Sequence, residues 1–232
     1  MAMRIFETDP DAKPRGTFSD DTVGRFHSGK QDEDGTPVAL DEWRISTGDP
    51  EVASAVAQLF GGTPEETETD KENFIIVDTA AAKVKVIVDG ASAISSDLKL
   101  WNGSNLIHHC DGVDFLSPEE DKGKPCRCPS LMVDRKAAAK VKRGPSPSIS
   151  VLFRLADDPD LGIFRFQSGS WKLAEVLYEV ENALDRIGTE ALCSLELERV
   201  EYTTKRGRDV SYIKPVIRVL KAWGDAIAEP KH

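Results

Sequence analysis

Apolar residues recur along this chain with two periods. Alternation that puts successive side chains on opposite faces runs through 83–88, where Val84, Val86 and Val88 face one way. It runs again through 148–155, where Ile149, Val151, Phe153 and Leu155 do. Each stretch predicts a strand. Shorter extended segments are read at 4–7, 22–27, 38–45 and 74–77, and 93–101 leads into the Cys/His stretch. Asp157-Asp158-Pro159-Asp160 turns the chain, so 163–166 is expected to return as the hairpin partner of 148–155. A long strand over 191–204 carries Cys193, Leu195 and Leu197 on one face, which makes Cys193 a core thiol. Lys205-Arg206-Gly207-Arg208 then forms a basic hairpin tip and 210–219 returns, with Pro215 pointing to an edge position or a bulge.

The 3.6-residue period appears three times. At 50–60, Asp49 is placed to cap, Pro50 occupies the first helical position and Gly61-Gly62 stops the helix. Its apolar stripe is Val52, Val56 and Leu59, flanked by Ala53 and Phe60. Ser130 is expected to cap a helix over 131–142. The longest helix, 171–187, begins after Ser168-Gly169-Ser170 and ends at Gly188; Leu173, Leu177, Val180, Leu184 and Ile187 form its stripe. The acidic stretch 63–72 reads as a solvated linker. Together these elements predict an α+β fold, a mainly antiparallel sheet with about three helices and a Cys/His metal-stapled loop. The expected organisation is a flexible segment over 1–20, one domain over 21–222 with a sub-boundary near 144–148, and a loose tail over 223–232.

Charge narrows the function classes. The chain of 232 residues has a net charge of -10. Residues 1–100 hold 20 acids and 10 bases, and the remainder holds 20 of each, so the deficit lies wholly in the first part. Nonspecific DNA binding draws on phosphate neutralisation by Lys and Arg, to which such a chain is poorly suited. The clusters Arg135–Arg143 and Lys205–Arg208 are the local exceptions. A mean hydropathy of -0.36 fits a soluble globular chain, and no apolar run approaches the ~18 residues of a membrane span. The polar N-terminus is unlike a secretory signal, and clustered cysteines without one point to a reducing cytoplasm. There is no phosphate loop, dinucleotide fingerprint or G-x-S-x-G. Asp97, Asp111 and Asp114 read as loop caps or surface groups, and His27 as a packing histidine.

The strongest chemical signal is the stretch 107–128. Three of the four cysteines and two of the four histidines fall in these 22 residues. If His108-His109-Cys110 is extended, His108 and Cys110 share a face and His109 takes the other. Cys126 and Cys128 have the same i, i+2 relation. The natural zinc set is therefore His108, Cys110, Cys126 and Cys128, with His109 as the alternative histidine. Three thiolates make such a site closed and structural. Partly buried thiols without metal, or a redox or disulfide pair, are the other readings.

Several phrases occur together in a fixed order: Gly24-Arg25-Phe26-His27, Ala39-Leu40 through Trp43-Arg44, Thr47-Gly48-Asp49-Pro50, Leu59-Phe60-Gly61-Gly62, His108-His109-Cys110-Asp111-Gly112-Val113 and Ser168-Gly169-Ser170-Trp171. In these, from about 23 to about 219, the chain resembles the recombination directionality factors that partner large serine integrases in actinobacterial phages and prophages. The resemblance implies a non-catalytic protein of the bacterial cytoplasm that binds the integrase, through the coiled-coil element of its C-terminal region. It implies a switch from attP × attB integration to attL × attR excision, without strong sequence-specific DNA binding by the factor alone. It also implies a further cysteine before the strand near Ser148. This chain has Gly144-Pro145-Ser146 there, leaving a histidine to complete the zinc set or the metal lost. Two rival readings stand beside it: a zinc-stapled DNA-binding accessory protein of phage replication or regulation, and a metal-dependent enzyme at His108/His109.

Overall fold

The computed structural model describes residues 22–32, 34–67 and 72–228. The strand read at 4–7 and the segment 1–20 lie outside the described residues, which form one sheet with helices packed on it. The first strands are β1 (Gly24–Gln31) and β2 (Pro37–Thr47), then helix α1 (Pro50–Phe60), β3 (Pro64–Glu66), β4 (Ile75–Asp78) and β5 (Lys83–Asp89). A short 3-10 turn at Ala91–Ala93 leads to β6 (Ile94–Asn102), β7 (Asn105–Cys110) and β8 (Phe115–Ser117). Helix α2 (Met132–Lys140), β9 (Ser146–Leu155), β10 (Phe164–Ser168), α3 (Trp171–Ile187), β11 (Glu190–Thr203), β12 (Asp209–Ala222) and α4 (Trp223–Ala228) complete it.

The sheet order is β12-β11-β5-β9-β10-β1-β2-β4-β3, with β6, β7 and β8 branching from β9. Among the described residues every pair is antiparallel except β1 with β10. β9 is the shared strand. One edge pairs with β10; the other pairs with β5 near Leu155 and with β6 from Val151 back to Ser146. The chain passes from β5 to β6 through Gly90, whose φ of 70° suits glycine. β9 starts inside 144–148 and pairs with strands from both sides of that point.

The main core lies between the sheet and helices α1 and α3. Phe26 is its aromatic centre, with edge-to-face contacts to Trp43, Phe153 and Phe164 at centroid distances of 5.6, 5.2 and 5.6 Å. α3 inserts Leu173, Leu177, Val180 and Leu184. Ser170 accepts the Leu173 N–H at 3.3 Å, and Gly188 (φ 68°) returns its N–H to Leu184. α1 starts as its sequence dictates, with Asp49 accepting the Glu51 N–H at 2.9 Å. Cys193 is fully buried in the same core. β12 is an edge strand and carries Pro215.

Four local expectations are corrected. α2 has Leu131 at its N-cap with no side-chain cap bond, so Ser130 does not cap it, and no α2 residue is buried. Leu59 is exposed, because α1 buries only Val52, Ala53 and Val56 of its first two turns. Within the acidic linker, 64–66 forms β3 on the open edge of β4; unpaired backbone at a sheet edge outweighs the poor strand propensity of Pro-Glu-Glu. The tail contains the short helix α4, a fourth helix, with 229–232 outside the described residues. No helix among the described residues is long and apolar enough to cross a membrane.

Two measurements test this packing. Gly62 has φ of 88°, and a Cβ there would meet the Asp78 carbonyl oxygen at 2.1 Å, whereas one at Gly90 would meet nothing. Gly90→Ala is expected to lose roughly 1–3 kcal/mol to backbone strain, and Gly62→Ala clearly more in the same urea unfolding series. His27 donates to or accepts from Ser46 Oγ at 2.8 Å. Burial first, then the Arg25 and Arg44 charges, push its pKa down from 6.5 to about 4. The unfolded chain therefore takes up this proton before the folded one does. Stability is held above pH 6.5 and lost as pH falls toward 4, by up to roughly 3 kcal/mol. His27→Gln is expected to flatten that part of the stability–pH curve.

Candidate metal centre

The hairpin of β6 and β7 carries the first two donors. Leu98 pairs with Cys110, Lys99 with His109 and Leu100 with His108. Strand alternation turns His108 and Cys110 to one side and His109 to the other. His109 is occupied there. Its Nε2 lies 3.2 Å from Asp97 Oδ2 and its Nδ1 2.9 Å from Ser117 Oγ, while Lys99 also pairs with Asp97 at 3.2 Å. The row Ser117-His109-Asp97 runs opposite to a hydrolase triad, in which the carboxylate holds Nδ1. Here it pins β8 to β7 and turns His109 away from the cysteines.

The return arm is built from backbone bonds. Asp111 Oδ1 accepts the N–H groups of Val113 and Asp114, both at 2.8 Å, which closes the turn after Cys110 and holds the Asp111 carboxyl below its usual range. Asp111 is thus a loop cap, as its sequence context predicts. Phe115 N–H bonds Lys124 O at 2.9 Å and Cys126 N–H bonds Val113 O at 2.7 Å. The two cysteines of this arm do not face together by strand alternation. No strand forms at 126–128, and Arg127 between them sits at a left-handed φ of 58°. That kink, uncommon for a non-glycine residue, brings both thiols to one side.

His108, Cys110, Cys126 and Cys128 place one donor atom each within 4.8 Å of all the others. His108 Nε2 is 3.1 Å from Cys110 Sγ and 3.4 Å from Cys128 Sγ, and the Cys110 and Cys128 sulfurs are 3.8 Å apart. A tetrahedral site with ordinary Zn–S and Zn–N bonds has edges of about 3.8 Å between sulfurs and about 3.5 Å between nitrogen and sulfur. The donor set fits such an ion. Burial pushes the Cys110 thiol up to about 12 and raises Cys128. Burial, then the nearby His109, lowers His108. Both shifts favour the uncharged forms; a metal takes a neutral imidazole, and a bound cation would be needed to draw the thiols into thiolates.

The support around the four donors is specific. Cys110 and Cys126 form a second small core with Leu98, against which Phe115, Cys128 and Trp171 pack. The His108 ring lies 4.8 Å from the Phe115 ring. Arg135 of α2 donates to Gly112 O at 2.7 Å and to Pro129 O at 2.5 Å, so one guanidinium ties the turn after Cys110 to the segment after Cys128. A Cβ at Gly112 would meet that guanidinium at 2.6 Å. The sequence places Arg135 in a basic patch. The glycine two residues beyond Cys110 is the one signal that could have shown its role. Lys136 pairs with Glu175 of α3, leaving Lys140, Lys142 and Arg143 as the outward bases of that patch.

Metal titration and elemental analysis check this arrangement. One divalent ion per chain is expected. Cys126→Ser and His108→Ala should reduce its occupancy and the melting temperature, whereas His109→Ala should keep the ion. Arg135→Met should weaken metal binding by about 10–100-fold while leaving all four donors in place.

No solved structure matches the chain. A family model described as Gp3-like, recombination directionality factor-like, matches residues 23–220, which takes in the sheet up to the last two residues of β12, the four donors and Arg135. By that match the chain belongs to the recombination directionality factor-like family.

Proposed function

We propose that this protein is a recombination directionality factor that binds a large serine integrase and redirects it from attP × attB integration to attL × attR excision. The observation that carries the reading is the family match across 23–220. The factor itself is non-catalytic and works in the bacterial cytoplasm; the integrase supplies the nucleophile. Docking is to the helical coiled-coil element of the integrase C-terminal region. The net charge of -10 supports action through a protein and not through sequence-specific DNA binding alone.

The metal in this reading is zinc, held by His108, Cys110, Cys126 and Cys128 as a closed structural site. Three sulfurs and one nitrogen suit zinc better than magnesium or calcium, which take oxygen ligands. The ion would cross-link two chain arms and leave no open position for substrate.

The mechanism is a shift of population. An integrase synapse has competing arrangements, and a bound factor moves the balance only by preferring one of them. A tenfold change needs about 1.4 kcal/mol of differential binding. The alternative reading, a zinc-stapled DNA-binding accessory protein, has one observation in its favour: Lys205, Arg206 and Arg208 stand exposed at the β11–β12 tip.

Recombination in vitro with the integrase of the same phage or prophage tests both readings. Excision should be stimulated and integration suppressed when the protein is added. DNA binding without integrase should be weak. Steeply salt-dependent binding to DNA alone, with no effect on either reaction, would establish the alternative.

A further inference from the structure

We propose that the outward face of β1 and β2 forms a binding site for a small phosphate monoester, whose phosphate is held by Arg25, Lys30 and Arg44. None of the residues that line it belongs to the Cys/His lobe or to α2.

Strand alternation makes the face. The pattern that turns Phe26 and Ile45 into the core turns Arg25, His27, Arg44 and Ser46 the other way. Register then sets Arg25 opposite Ser46 and His27 opposite Arg44. On the other side of β1, Arg165 of β10 stands beside Arg25. Over this face opens a cavity of about 840 Å³, and Arg25, His27, Lys30, Arg44, Ser46 and Glu72 are among its walls. Small-molecule sites run from roughly 300 to 1,000 Å³.

The charge gathered there runs against the rest of this part of the chain. Residues 1–100 hold 10 bases and 20 acids, yet three of those ten bases line this one cavity with a single acid, Glu72. Arg44 is aimed by two bonds to Asp78, from Nε at 2.6 Å and from Nη2 at 2.7 Å, which leaves Nη1 for another acceptor. Its side chain is 21% exposed, so water screens it only in part. Lys30 is exposed at the far end of β1 and forms no ion pair among the described residues. His27 lies between the two guanidinium groups, its Nε2 2.8 Å from Ser46 Oγ. Burial holds its ring neutral, and the charges of Arg25 and Arg44 reinforce this, so both cations act at one point. Guanidinium and ammonium groups offer donors only. A dianion with several acceptor oxygens matches that set, and charge-assisted bonds to it are strong.

The surroundings set the size of the ligand. Asp32 and Asp34 line a second cleft together with Lys30 and Arg44, and Glu65 is near enough to act on Arg44. A basic floor inside an acidic rim repels an extended polyanion such as DNA and admits a compact one. Glu72 adds an acceptor to the wall, which suits a hydroxyl or amino group on the organic part of an ester.

Calorimetry on the full-length protein with inorganic phosphate, 5′-AMP, adenosine and a single-stranded oligothymidylate tests the site. 5′-AMP should bind, inorganic phosphate more weakly, and adenosine and the oligothymidylate not detectably. Lys30→Ala and Arg25→Gln should each weaken 5′-AMP by about fivefold or more, with the melting temperature of Lys30→Ala unchanged. The triple variant Lys205→Ala/Arg206→Ala/Arg208→Ala, at the distant β11–β12 tip, should bind as the parent protein does. NMR of the His27 ring gives a second readout. Saturating 5′-AMP should move its titration midpoint upward, because a bound anion offsets the two arginines. Failure of both phosphate and 5′-AMP to bind at millimolar concentration would overturn the proposal. So would binding that Lys30→Ala and Arg25→Gln leave intact, or that the triple variant abolishes, since the anion would then sit elsewhere. Inorganic phosphate binding as tightly as 5′-AMP would rule out the ester, and displacement of 5′-AMP by the oligothymidylate would make nucleic acid the ligand in its place. Each result is read without integrase, so the directionality-factor reading stands or falls separately.

Discussion

β9 is the strand on which the rest of the structure depends. Both of its edges are committed, one to β10 and the other to β5 and β6 in succession. Alternation within it puts Ile149, Val151, Phe153 and Leu155 into the main core. Its first residues, Ser146 to Ile149, set the register of β6. Because β6 in turn registers β7, the position of Cys110 opposite Leu98 is inherited from a strand that contributes no donor. A one-residue slip in that ladder would turn His108 and Cys110 to the wrong face.

Much of this was legible in the sequence because it is written in local periods. The bounds of α1 and α3, the inward set of β9, the β9–β10 hairpin and the buried Cys193 follow from alternation, capping residues and turn chemistry. Elements whose cause is tertiary were not legible. β3 exists because β4 has an open edge, and nothing in Pro64-Glu65-Glu66 favours a strand. α2 is anchored by a guanidinium on two distant carbonyls, so its apolar pattern is uninformative and Ser130 misleads.

The candidate site divides in the same way. His108 and Cys110 share a face by strand alternation, which favoured His108 but left His109 as the alternative. The choice is completed by Asp97 and Ser117, which no sequence rule would bring to His109. Cys126 and Cys128 were grouped correctly for a reason that does not hold: their shared side comes from the left-handed Arg127, not from a strand. The parallel pairing of β1 with β10 was likewise beyond reach, since a lone parallel pair in an antiparallel sheet leaves no local trace.

The spacing of the donors bears on the order in which the chain closes. Cys110 and Cys128 lie 18 residues apart, and the hairpin between β6 and β7 is shorter still. β1, by contrast, finds no parallel neighbour until Phe164 reaches Gly24. Loop-closure entropy grows with separation, and long-range strand pairing is slow. A chain emerging from the N-terminus would thus have both Cys/His arms in hand before β10 can reach β1. The two arms of the lobe are therefore neighbours along the chain well before the parallel pair can close, while their seating on the sheet waits for β9 and for Trp171.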